Sequence, residues 1–179
     1  MKDASAPGSL ELVRAFVNSI DLEHPETTDA FASVGAARVW LTDAGIDPSG
    51  MSDADLAGLR TLREELRAEM LAHGDGGERQ KPAALTPIRL DAERTEDGDF
   101  RLTPRECGAQ GLRAGLAAAI WEAQIRGTWS RLKACRQATC RFAYYDKTKN
   151  GSGAWCAMET CGNRAKAERR RARERGRAT

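Results

Sequence analysis

Four cysteines, Cys135, Cys140, Cys156 and Cys161, fall within 27 residues and are the side chains of this sequence best suited to chemistry. Their spacing is C-x4-C-x15-C-x4-C, two matched pairs. In a reducing compartment clustered cysteines serve a metal before they serve disulfides. Redox-active dithiols usually place two residues between the sulfurs, and each pair here has four. Zinc asks for four soft or borderline ligands in a tetrahedron, which two tight turns carrying two thiolates each can supply. Four thiolates fill the coordination shell, and neither His24 nor His73 lies near in sequence. The spacing therefore predicts one structural Zn(2+), bound by Cys135, Cys140, Cys156 and Cys161, whose binding contributes folding energy to a module too small to fold alone.

The remaining reactive side chains give a weaker pattern. Asp21, Glu23 and His24 form a polar group with no visible second partner and read as turn and capping chemistry. Cys107 is expected in the first turn of a helix, where a thiol pKa can fall, but an ordinary thiol accounts for it as well. No phosphate-binding glycine loop, nucleophile triad or metalloprotease pattern is present. The expectation is a protein that is not an enzyme. Trp155, Phe142, Tyr144 and Tyr145 are expected to pack around the metal knuckles, and Trp40 and Trp121 to belong to the core.

Charge supplies the second functional signal. The chain of 179 residues has a net charge of +2, with 41% hydrophobic and 30% charged residues. Residues 1–130 carry 14 basic and 22 acidic side chains, a net of −8, whereas residues 131–179 carry 14 basic and 4 acidic, a net of +10. An acidic body with a basic end points to a polyanionic partner. Arginines outnumber lysines 22 to 6, and guanidinium suits bidentate phosphate and guanine contacts. The C-terminal AKAERRRARERGRAT is basic in every direction, so core packing cannot hold it. Such a helix stands in solvent, frays, or lies on a polyanion. The expected nucleic-acid contacts are Arg164, Lys166, Arg169, Arg170, Arg171 and Arg173. DNA is the first candidate partner, RNA the alternative, and an acidic protein the second alternative. No apolar run is long enough for a membrane span, and the N-terminus lacks a signal-peptide core. The expected location is the cytoplasm, at the nucleoid if DNA is the partner.

These groups must be positioned by elements that the pattern of apolar residues outlines. Leu10, Val13, Val17 and Ile20 suit one helical face. Thr28 is a candidate cap for a helix through Ala44, with Gly45 as its left-handed terminator. Ser52 and Asp55 open a helix over 53–73 with a stripe of Leu56, Leu59, Leu62, Leu66 and Met70, while Glu64, Glu65, Arg67 and Glu69 are expected away from it. A polar loop, Gly74–Pro82, follows. Two short strands are expected around Asp97–Gly98. Thr103, Pro104 and Glu106 predict the start of another helix running to Arg126, with Gly111 and Gly115 permitting close approach. Residues 131–135 look strand-like, and Asn150–Gly151 predicts a hairpin turn between the cysteine pairs.

At Cys161 the sequence meets a recognisable pattern. Trp155-Cys156-Ala157-Met158 and Cys161-Gly162-Asn163-Arg164-Ala165-Lys166-Ala167 resemble the CGNR zinc-finger family, whose eponymous tetrapeptide is intact. AFVNSIDLEHPETTD and the later Trp40-Leu41 resemble its usual partner, the ABATE domain. The resemblance implies the same four cysteine ligands and a role in stress-induced transcription regulation. Many members carry two basic residues before the Trp-Cys pair, where Gly153 and Ala154 stand here. The expected architecture is mainly α with a small β component (α+β). It consists of a multihelical domain over 1–130 with a β-hairpin, then a treble-clef-like zinc finger with a basic helix over 131–179. A small-molecule or protein partner is expected at the N-terminal domain.

Overall fold

A computed structural model describes residues 5–24, 29–75, 85 and 87–176. Its helices are α1 (Leu10–Val17), α2 (Val34–Asp43), α3 (Asp53–Asp75), α4 (Gly108–Ile125) and α5 (Asn163–Gly176). Two antiparallel pairs complete it: β1 (Leu90–Arg94) with β2 (Phe100–Pro104), and β3 (Leu132–Ala134) with β4 (Ala143–Tyr145). This is the α+β architecture expected. Among the described residues, no helix is long and apolar enough to cross a membrane.

Helix α3 is the axis of the molecule. Leu56, Leu59, Leu62, Leu66 and Met70 form the predicted buried stripe, against which α1, α2 and α4 bring Val13, Phe16, Leu41, Leu112 and Leu116. Phe16 packs edge-on against Phe31 and Trp40, and Phe31 and Trp40 are tilted to each other, with ring centroids 5.3–6.0 Å apart. The side away from the stripe is covered in part as well, although Glu64 stays exposed. Strand β3 lies along α3, so Arg67 and Glu69 are buried. The periodicity of one helix shows its apolar stripe and says nothing of a polar face that a second layer covers.

The local signals place most boundaries. Ser52 donates from its backbone amide and its hydroxyl to the Asp55 carboxylate at 3.0 and 2.6 Å, the carboxylate arm of a capping box. Helix α2 ends in a Schellman motif: Ile46 N donates to Leu41 O, Gly45 N donates to Thr42 O, and Gly45 has φ +73°. Its start differs from expectation. Ser33 Oγ accepts from Ala36 N and caps it, while Thr28, residues 76–82 of the polar loop and Arg177 lie outside the described residues. Helix α1 stops at Val17, so Ile20 falls in the following turn.

Helix α4 starts four residues later than its apparent capping box. Thr103 and Pro104 pair instead with Asp91 and Leu90 in the β1–β2 register. Cys107 thus takes the N-cap position, without a side-chain cap bond. Gly108 has φ +56°, and a β-carbon there would sit 2.6 Å from Ser49 O, so only glycine fits. Gly115 permits the expected close approach, with Leu12 of α1 against it. Trp121 is exposed on α4, contrary to expectation, and the interior indole near the finger is Trp129.

Candidate metal centre

Cys135 and Cys140 flank a knuckle inside the β3–β4 hairpin. Cys140 N and Arg141 N both donate to Gln137 O, at 3.0 and 3.1 Å. Arg141 closes the turn in the left-handed region at φ +51°, a conformation that costs a non-glycine residue about 1 kcal/mol. The hairpin therefore spans the first cysteine pair. The segment between the pairs turns at Thr148–Gly151 as expected, with Gly151 N donating to Thr148 O, but its return arm is not a strand. It is tied by Arg136 N donating to Ala154 O.

That return arm is ordered by a buried ion pair. Lys133 Nζ donates to Asp146 Oδ2 at 2.8 Å, and also to the carbonyls of Gly151 and Gly153. Asp146 accepts further bonds from Thr148 N, Thr148 Oγ1 and Gly153 N. Burial alone would raise the Asp146 pKa; the bonds from Lys133 and Thr148 outweigh it and hold the carboxyl at about 2. Gly153 is needed here, because a β-carbon would meet that carboxylate at 2.9 Å.

The second pair comes from the entrance to α5. Residues Met158–Gly162 make a wide turn in which Gly162 N donates to Ala157 O, and Cys161 is carried on this turn. Each residue of the tetrapeptide has a local task. Cys161 points into the cluster, and the bare α-carbon of Gly162 lies against Met158 and Trp155. Asn163 Nδ2 donates to Glu159 O at 3.0 Å. Arg164 Nη1 donates to Glu23 at 2.6 Å and to Thr139 Oγ1 at 3.2 Å. One knuckle from a hairpin and one from a helix entrance make the treble-clef layout that was expected.

The four sulfurs converge. All lie within 4.8 Å of one another, with Cys140–Cys156 and Cys156–Cys161 both at 3.7 Å. A disulfide needs about 2.05 Å, and all five cysteines are free thiols. A Zn–S tetrahedron with arms of about 2.3 Å has edges of about 3.8 Å, so the donor set fits zinc. Its electrostatics call for a cation. Sharing of protons with the neighbouring Cys140 and Cys156 sulfurs draws the Cys135 pKa down. The same sharing pushes Cys140 up to about 12 and Cys156 upward. Four ionised sulfurs this close repel strongly unless a dication sits among them, and its binding expels the remaining protons.

Of the four aromatics expected around the knuckles, Tyr144 and Trp155 pack against the cysteines. Tyr145 packs on the main core instead. Phe142 is half-exposed beneath the Arg14 guanidinium, which lies 5.8 Å from its ring centroid. Leu132, Ala134 and Ala143 are buried in the same core as α3.

Arg164, Lys166, Arg169, Arg170, Arg171 and Arg173 are all exposed on α5. Only Ala165 of this helix is buried. Arg170 pairs with Glu174 one turn on, and Gln137 reaches Glu168 at 3.2 Å. Sequence reasoning missed Arg67, whose guanidinium approaches the first knuckle. Burial draws its pKa down, while the charges of Glu64 and Cys140 act in the opposite direction. An arginine at a position away from the apolar stripe was the only signal that could have found it.

Two family models match the chain. One, ABATE, is described as "Putative stress-induced transcription regulator" and covers residues 10–127; the other, described as "CGNR zinc finger", covers residues 131–174. No curated protein matches the chain.

Proposed function

The chain belongs to the ABATE family and carries a CGNR zinc finger, and from that premise we propose that it is a zinc-dependent DNA-binding regulator of transcription. One structural ion joins Cys135, Cys140, Cys156 and Cys161, and so fixes the direction in which α5 leaves the fold. The helix then presents Lys166, Arg169, Arg170, Arg171 and Arg173 to the phosphate backbone. The acidic N-terminal domain receives the signal, from a small molecule or a protein, and works inside the cell at the nucleoid. No catalytic step enters this proposal.

The observation that carries the reading is α5 itself. It has 14 residues with one buried side chain, and its root is the sulfur cluster. A helix this polar gains nothing from the core, and its placement makes sense where a charged polymer completes the surface. Phosphate contacts from Lys166, Arg169, Arg170, Arg171 and Arg173 would give a log–log salt slope of about −4.5, and a sixth from Arg164 would take it to about −5. The test is competition of labelled duplex DNA against structured RNA at two salt concentrations, with and without chelation of the metal. Salt-dependent DNA binding that chelation abolishes supports the proposal. Preference for RNA would make it an RNA-binding module, and no nucleic-acid binding at all would favour an adaptor for an acidic protein.

A further inference from the structure

The metal knuckle and the N-terminal domain share more than a boundary. Arg67 of α3 is buried, with its side chain only 5% exposed. Its Nη1 donates to Arg141 O at 2.9 Å, and Nη2 donates to Val17 O at 2.6 Å. Its Nε donates to Glu64 at 3.0 Å. One planar fork therefore joins the last carbonyl of α1 to the left-handed residue directly after Cys140. Next to it, Asn18 makes a strand-like pair with Ala143: Ala143 N donates to Asn18 Oδ1 at 2.7 Å, and Asn18 Nδ2 donates to Ala143 O at 2.9 Å. Cys135 N donates to Phe142 O at 2.9 Å. The exit of the knuckle, residues 141–143, is thus gripped at three backbone groups by side chains that lie more than 70 positions away.

We infer that Arg67 and Asn18 are positioning residues of the metal centre, so that the N-terminal domain supplies part of the outer shell that makes the first knuckle fit to ligate. This rests on the reading of the cysteine cluster as a zinc site. The strained Arg141 is the point that needs holding. Released from Arg67, its carbonyl would turn and take the Cys140 sulfur with it. The guanidinium also places a positive charge beside a centre that carries about −2 when zinc is bound to four thiolates. Outer partners of this kind typically change metal affinity about 10–100-fold.

Arg63 provides the matched control. It lies one turn earlier on α3, is 4% exposed, bonds Asp29 and Ser19, and shares the Glu64 carboxylate with Arg67, but among the described residues it has no hydrogen bond or ion pair to the finger. The experiment measures zinc release from the full, reduced chain to an excess of chromophoric chelator, with melting recorded in parallel. Arg67→Met and Asn18→Ala are expected to weaken zinc binding about 10–100-fold, with Arg67→Lys recovering part of the loss. Arg63→Met is expected to leave zinc release unchanged at a similar loss of melting temperature. Should Arg67→Met fail to fold, Asn18→Ala decides alone. Wild-type release rates in Arg67→Met or Asn18→Ala, or equal acceleration in Arg63→Met, overturn the inference. A wild-type protein that binds no zinc overturns the metal reading beneath it.

Discussion

Arg164, the last residue of the CGNR tetrapeptide, is bonded to Glu23 at 2.6 Å across 141 positions of sequence. Glu23 is in place because Asp21 accepts its backbone amide in a tight turn. Glu23 raises the Arg164 pKa, through the hydrogen bond first and the charge second. The pair is exposed, so it contributes little to folding. It also occupies a guanidinium that a phosphate could use. Glu23→Gln is expected to tighten DNA binding severalfold at low salt, with the gain fading as salt rises and melting barely changed. Fluorescence anisotropy at two ionic strengths measures this.

Reversing the charge of Arg169, Arg170 and Arg171 is expected to weaken binding about equally on every DNA sequence. The salt slope should become shallower by about 0.9 for each phosphate that the helix no longer neutralises. A weakening confined to one sequence would mean that these side chains read bases. The readout is affinity for two unrelated duplexes over a salt series.

The Lys133–Asp146 pair is buried on both sides, at 4% and 1% side-chain exposure. Removing one partner leaves an unpaired buried charge, so Asp146→Asn should cost about 3–5 kcal/mol. The sign of its pH dependence follows from the depressed folded pKa of about 2. The stabilisation is complete above the ordinary carboxylate range and is lost as pH falls from about 4 toward 2. The difference in stability between wild type and Asp146→Asn should therefore hold at neutral pH and close across that window in denaturant titrations.

Cys156→Ser removes one ligand and should release the metal. The loss of order has a predictable limit, because Leu132, Ala134 and Ala143 are anchored in the main core. Ala143 is further held by Asn18, and Leu132 O accepts from His73 Nδ1 at 2.8 Å. Amides of α5 should exchange rapidly in this variant, while those of β3 and β4 stay protected. Hydrogen exchange read residue by residue distinguishes this from loss of the whole finger.

The metal ligands were legible in the sequence because spacing alone encodes them: two matched cysteine pairs leave little else to bind. The α3 stripe, the Gly45 terminator and the β1–β2 turn were legible for a similar reason, being local. What misled was locally correct and overruled at a distance. Thr103-Pro104-Arg105-Glu106 is a good helix opening, yet pairing with Leu90 and Asp91 captures its first two residues for a strand. Trp121 looks like core and is exposed, whereas Trp129, which donates to Glu69 at 3.0 Å, lies inside. Asn18 has no sequence signature and Arg67 only its place away from the apolar stripe, since their value depends on a knuckle that begins more than 60 residues later.

Whether four sulfurs hold one zinc ion at the root of α5 is decided by X-ray absorption at the zinc edge of the reduced, purified chain, alongside metal counting. One zinc per chain is expected, with four sulfur neighbours at about 2.3 Å. A zinc shell containing nitrogen or oxygen, or a protein that is metal-free while α5 stays protected from exchange, would contradict the proposal.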